Sequence, residues 1–247
     1  MELNLVAHLV FQRYFNKTFY RFINPSLVSF SRYPVLADSD IALIKMMVTD
    51  NTSQLEKIKE EFESLSLALS GRYKNIDLEY PPEFAIEVNS SYFLYALVRL
   101  LKPINIVETG VANGHSSFFL LNAILKNKCG ILHSFDVKND VGTLIAESEK
   151  SVWDLNILPR GREKSFFLDK MKKLGDINIF IHDSNHFYYW QILEYRTAWE
   201  VLKNDGFLLS DDVDASYAFL DFSKETSSTP IFISDSRKMF GIIKKPH

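Results

Sequence analysis

The stretch Ile106-Val107-Glu108-Thr109-Gly110-Val111-Ala112-Asn113-Gly114-His115-Ser116-Ser117 decides the fold. An apolar run closing on an acid reads as a buried strand, and Gly110 and Gly114 carry the chain through a turn into a helix. The glycines fall as Gly-x-x-x-Gly, with Ala112 where a dinucleotide fingerprint needs a second glycine to bring backbone against a pyrophosphate. The turn therefore suits a small cofactor that lacks pyrophosphate. Glu108 at the strand end can hold a cationic amino group or a hydroxyl, and the N–H groups from Asn113 to Ser116 favour a carboxylate at the helix N-terminus.

Outward from this stretch, strand and helix signals alternate. Strands are expected over Ile104 to Glu108, Ile131 to Asp136, more weakly Ser151 to Pro159, Ile177 to His182, and Phe207 to Ser210, the last introduced by an Asn204-Asp205-Gly206 turn. Helices are expected over Gly114 to Leu125, Ser165 to Lys173, His186 to Lys203 and near Ala215 to Phe222. Pro230 to Ser234 and Met239 to Ile243 read as a closing hairpin. This rhythm is that of an α/β, doubly wound, mostly parallel sheet. Right-handed crossovers put the first strand beside the fourth, with the second and third on one side and the fifth on the other. Ligands then belong at the carboxyl edge, near the first and fourth strands.

Residues 1 to 80 read as a helical N-terminal extension, and 81 to 247 as the cofactor-binding domain. Apolar residues recur at helical spacing from Ile41 to Met47 and from Leu55 to Leu69, where Gly71 is expected to end the second helix. Pro81-Pro82 then breaks the chain, and Ser90 or Ser91 is expected to cap a helix over Tyr92 to Leu101 that Pro103 stops. Phe11, Tyr14, Phe15, Phe19, Tyr20 and Phe22 interleave with Arg13, Lys17 and Arg21. That pattern fits packing against the core or a sister subunit better than an interfacial membrane helix.

The 28 basic and 31 acidic side chains give no overall positive field, so nucleic acid is not an expected partner. No apolar run approaches the ~18 residues of a spanning helix. The lone Cys129 cannot make an internal disulfide, and a reducing cytoplasm is the expected location.

Four acids fall on the expected carboxyl edge. Asp136 ends the second strand about where an acid grips ribose hydroxyls in nucleotide-binding α/β folds; the alternative is a solvated turn acid ahead of Lys138, Asn139 and Asp140. Asp183 ends the fourth strand, and Asp211-Asp212 end the fifth. Neighbouring strands lie ~4.8 Å apart, so these carboxylates should converge, and a hard divalent cation would relieve their repulsion. The alternative is helix capping by Asp183, Ser184 or Asn185 and by Asp212 or Asp214. His186, three positions beyond Asp183, can accept a proton from a substrate hydroxyl near neutral pH or be an exposed polar group. His182 alternates to the opposite strand face, and His115 starts a helix; both are expected to be structural.

Taken together, Glu108-x-Gly110-x-x-x-Gly114-x-Ser116, Asp136, Asp183-Ser184-Asn185-His186 and Asp211-Asp212 resemble a class I S-adenosylmethionine-dependent methyltransferase over roughly residues 85 to 245. S-Adenosylmethionine carries the amine, hydroxyl and carboxylate groups that the glycine turn suits. The nearest likeness is to metal-dependent O-methyltransferases of the catechol and caffeoyl-coenzyme A type and to related small-molecule and sugar methyltransferases. The resemblance implies a Rossmann-like seven-stranded sheet with an antiparallel last strand. It implies that Glu108, Gly110, Asn113, Gly114 and Ser116 serve the methionine part, Asp136 the ribose and the region of Ser165 the adenine. It also implies that Asp183, Asp211 and Asp212 hold a divalent metal, expected to be magnesium, and that His186 takes the proton. Catechol-type enzymes usually have Asp-Asn where this chain has Asp211-Asp212, which points away from a simple catechol. Additions like residues 1 to 80 often form the acceptor lid or a homodimer contact in this superfamily.

The expected activity is O-methylation of a small-molecule hydroxyl, with sugar, polyketide, phenol and amine acceptors all open. A non-catalytic binding module on the same fold is the rival reading, against which the acids at every edge position argue. A nucleotide-dependent oxidoreductase is disfavoured by Ala112.

Overall fold

The computed structural model describes residues 30–46 and 48–247; the aromatic segment 11–22 lies outside them. Strand β1 (Val35–Leu36) precedes helices α1 (Ser39–Lys45) and α2 (Thr52–Asn75), and a 3₁₀ turn at Pro82–Phe84 leads into α3 (Val88–Leu101). The alternating part follows as β2 (Asn105–Thr109), α4 (His115–Asn127), β3 (Ile131–Asp136), a 3₁₀ segment Glu147–Val152, β4 (Trp153–Ile157), α5 (Glu163–Leu174), β5 (Ile177–His182), α6 (Tyr188–Val201) and β6 (Leu202–Ser210). Helix α7 (Ala218–Glu225) and the hairpin β7 (Ile231–Ser234) and β8 (Met239–Lys244) complete it.

The sheet order is β1-β7-β8-β6-β5-β2-β3-β4. The first expected strand does lie beside the fourth, and β8 inserts antiparallel between β6 and β7. This is the Rossmann-like methyltransferase arrangement with one addition. Val35 and Leu36, in a region expected to be helical, pair parallel with Phe232 and Ile233 and make an eighth described strand.

Both faces of the sheet are covered, as a parallel sheet requires. Period-two alternation along β2 sends Ile106 to the side of α2, α3 and α4, and Val107 to the side of α5, α6 and α7. Phe62 of α2 meets Tyr92 of α3 edge-on and Phe119 of α4 at a tilt, at 5.4 and 4.7 Å between centroids. Each such fully buried side chain is worth roughly 1.5–3 kcal/mol, so the described part of the extension shares the core of the main domain.

Three local expectations fail for physical reasons. Helix α2 runs through Gly71 to Asn75, because its buried face and the Arg72 contacts beyond it outweigh one glycine's propensity cost. Helix α3 starts at Val88, and Ser90 and Ser91 are buried inside it, the cap role passing to Asp235 from the β7–β8 loop. Asn204-Asp205-Gly206 is no separate turn but a bulge within β6, where the register against β5 jumps from Ile177↔Leu202 to Ile179↔Phe207.

Candidate active site

A cavity of about 890 Å³ opens at the carboxyl edge, lined by Thr109, Gly110, Asp136, Asp183 and Asp212 from the strand ends and by Tyr73, Tyr80 and Phe84 from the opposite wall. It lies within the roughly 300–1,000 Å³ of small-molecule sites.

The glycine turn is built by close approach. Gly110 has φ +83°, and a Cβ there would lie 1.9 Å from the carbonyl oxygen of Asp183, so only glycine lets the ends of β2 and β5 meet. Ala112 occupies the left-handed region at φ +46°, an uncommon conformation for alanine, and its carbonyl accepts from Gly142 N at 2.8 Å. Gly114 starts α4, whose first turn carries no side-chain cap and presents His115 and Ser116 to the cavity.

Of the residues expected at the cofactor, Gly110, Asn113, Ser116 and Asp136 line this cavity. Asn113 also clamps the extension, its side-chain amide exchanging hydrogen bonds with the backbone N–H and carbonyl of Tyr80 at 3.1 and 2.7 Å. Asp136 braces the turn, accepting from Val111 N at 2.8 Å and Lys138 N at 3.0 Å.

Glu108 and Ser165 are elsewhere. Glu108 is buried beneath the turn, where it accepts from Ser134 Oγ at 2.6 Å, Ser116 Oγ at 3.2 Å and Ser117 Oγ. Burial pushes its carboxyl up to about 7 against those three hydroxyl donors, with the charge of Asp136 adding to the rise. Ser165 is exposed and donates to the carbonyl of Arg162; on its side of the fold Leu158 and Glu163 line the cavity instead.

The remaining acids converge. Consecutive strand residues face opposite ways, but Asp212 takes φ +47°, a left-handed conformation that aspartate tolerates, and swings back towards Asp211. His186 Nε2 lies 3.4 Å from Asp212 Oδ2 and 3.7 Å from Asp183 Oδ1. Burial, then His182 and Lys238, push its imidazole down to about 3, so it is neutral at physiological pH. None of the acids caps a helix: Phe187 N bonds to Asn185 Oδ1 ahead of α6, and Ala218 N bonds to Ser216 Oγ at the start of α7.

Lys238, which sequence reasoning missed, stands among them. Its Nζ is 2.9 Å from Asp211 Oδ2 and 3.2 Å from Asp212 Oδ2. Burial opposes its charge, but Asp211, Asp183 and Asp212 outweigh that and hold the ammonium well above its ordinary value. Burial and the neighbouring Asp211 charge raise Asp183 well above the usual carboxylate range, and burial and Asp212 bring Asp211 to about 6.

The divalent metal expected on Asp183, Asp211 and Asp212 finds no support in this arrangement. An ammonium already takes the carboxylate oxygens that a cation would use, and no described group of three or more His, Cys, Asp or Glu is arranged to hold a metal ion.

His182 is structural as expected, but not alone. Its Nδ1 meets Glu194 Oε2 at 2.6 Å, and the Glu194 carboxylate also accepts from Thr109 Oγ1 at 2.6 Å and Ser184 Oγ at 3.0 Å, tying β2, β5 and α6 together under the cavity. His115 is held between Tyr73 Oη and Ser91 Oγ, at 2.9 and 3.2 Å, and burial pushes it down to about 4.

Comparison with known proteins bears on the domain and the fold. Residues 107–213 match the sequence family described as a methyltransferase domain. Solved structures of similar fold include the O-methyltransferase of Bacillus cereus in complex with S-adenosylhomocysteine (13% identity, 83% of this chain and 96% of that one, TM-score 0.53). Another is the O-methyltransferase TomG of Streptomyces achromogenes, involved in tomaymycin synthesis, in complex with S-adenosylmethionine (14% identity, 85% and 97%, TM-score 0.54). A third is the methyltransferase PaMTH1 of Podospora anserina bound to S-adenosylhomocysteine (13% identity, 80% and 97%, TM-score 0.54). At these identities the likeness is one of fold. No curated protein matches the chain by sequence. Residues 107–213 thus match a methyltransferase domain, and the chain as a whole shares the Rossmann-like fold of these methyltransferases.

Proposed function

We propose that the enzyme transfers the methyl group of S-adenosylmethionine to a hydroxyl of a small molecule. The observation that carries this reading is a single cavity lined both by the glycine turn with Asp136 and by His186 with its neighbours Asp183 and Asp212. In this reading Gly110, Asn113 and Ser116 border the methionine part, Asp136 the ribose, and Leu158 and Glu163 the adenine side.

The acceptor oxygen attacks the methyl carbon as the methyl–sulfur bond breaks. The sulfonium becomes the neutral thioether of S-adenosylhomocysteine, and the hydroxyl proton passes to His186 Nε2. The imidazole, neutral beforehand, gains its charge with Nε2 at 3.4 Å from Asp212 Oδ2 and 3.7 Å from Asp183 Oδ1. Holding the two reactants in line supplies several kcal/mol, up to about 7–11 in well-oriented intramolecular models. Of the two roles expected for the N-terminal region, acceptor lid and dimer contact, Tyr73 and Tyr80 in the cavity wall support the first.

The test is calorimetric titration with S-adenosylmethionine, followed by mass-spectrometric detection of methyl transfer across hydroxylated sugars, phenols and polyketides. His186→Ala should lower turnover about 10²–10⁴-fold and leave cofactor affinity nearly unchanged. No uptake of S-adenosylmethionine, or wild-type turnover in the variant, contradicts the reading.

A further inference from the structure

Asp183, Asp211 and Asp212 stand where the likeness to metal-dependent methyltransferases puts a divalent cation, and a positive charge is already among them. We propose that Lys238 is a built-in replacement for that cation: its ammonium neutralises the acid trio and offers the acceptor oxygen a positive charge.

Three observations carry this. Lys238 Nζ lies 2.9 Å from Asp211 Oδ2 and 3.2 Å from Asp212 Oδ2, on oxygens a metal ion would need at about 2.0–2.6 Å, so ammonium and metal exclude each other. The side chain is also part of the cavity wall. An ammonium has three N–H donors; two face these aspartates, and the third remains for an oxygen in the cavity.

The second observation is how firmly the lysine is placed. Asp235, at the start of its loop, accepts from Ser90 N at 2.9 Å and Ser90 Oγ at 3.0 Å, and Glu87 accepts from Arg237 N at 2.8 Å and Arg237 Nε at 2.6 Å. The loop is thus pinned on both sides of its turn to the start of α3. Finally, the left-handed backbone of Asp212 is what brings two consecutive carboxylates onto one cation. Lys238 acts here as a positioning residue for the acids and as a contact for the acceptor oxygen, and that second role rests on the methyl-transfer reading.

The full chain, freed of metals with chelator, is titrated with Mn²⁺ alone and free Mn²⁺ is followed by electron paramagnetic resonance. The wild type should take up none at this site, and Lys238→Arg should behave like it. Lys238→Ala and Lys238→Met, checked for folding by circular dichroism, should each take up one Mn²⁺ at concentrations where the wild type takes up none, and adding Asp212→Asn should abolish that uptake. One Mn²⁺ bound by the wild type and lost in Asp212→Asn overturns the proposal, as does absence of uptake by the folded Lys238 variants. Calorimetry with S-adenosylmethionine on the same samples separates this from a failure of the methyl-transfer reading, since the manganese result does not depend on the cofactor.

Discussion

Glu108 is an acid whose ordinary value of 4.5 rises to about 7 on folding because it is sealed beneath the glycine turn. The folded state therefore binds its proton more tightly than the unfolded chain. Its contribution to stability is fully present below pH 4.5 and is lost as pH rises through about 7, a change of at most about 3 kcal/mol. Glu108→Gln should flatten the fall in unfolding free energy between pH 5 and pH 8, read by urea titration at both values. An identical fall in variant and parent would show that Glu108 is ionised throughout. The same residue marks a limit of sequence reading. An acid at a strand end beside a glycine turn reads as a ligand contact, yet the serines at 116, 117 and 134 that capture it lie in two other elements and become neighbours only on folding.

The strand rhythm was legible because each buried strand is a short apolar run with its own breakers, and handedness then leaves one order. Features made by contacts distant in sequence were not. Lys238 lies 27 positions after Asp211 in an Asp-Ser-Arg-Lys loop that reads as solvated, and only the antiparallel return of β8 beside β6 delivers it to the acids. Capping of α3 was misassigned to Ser90 or Ser91 for the same reason: the acceptor, Asp235, is 145 residues away. Asp235→Ala should cost about 1–2 kcal/mol as a lost cap and its hydrogen bonds. Because one loop carries both the cap and the lysine, amide exchange should rise together at residues 235–238 and in the first turn of α3. Faster exchange at one of these places without the other would show that they are not coupled.

Across the whole molecule, the extension and the main domain meet at Arg72. Its guanidinium forks onto Glu149 at 2.7 and 2.9 Å, donates to the carbonyl of Leu144 at 2.5 Å and covers the ring of Phe118 at 4.7 Å. Next to it in sequence, Tyr73 lines the cavity. Arg72→Ala strands the buried Glu149 carboxylate without its cation and should cost about 3 kcal/mol in chemical denaturation. It should also speed proteolysis within residues 52–75. A loss below roughly 0.5 kcal/mol would mean that the two parts cohere without this clamp.

The placement of β8 between β6 and β7 bears on how the chain comes into being at the ribosome. Translation delivers Asp183, Asp211 and Asp212 before Lys238, and it delivers every neighbour of β8 before β8 itself. A nascent chain paused between residues 234 and 238 therefore has a gap in the middle of its sheet and three aspartates without their lysine. For this chain, closing the sheet and neutralising the acidic pocket are a single late event of biosynthesis.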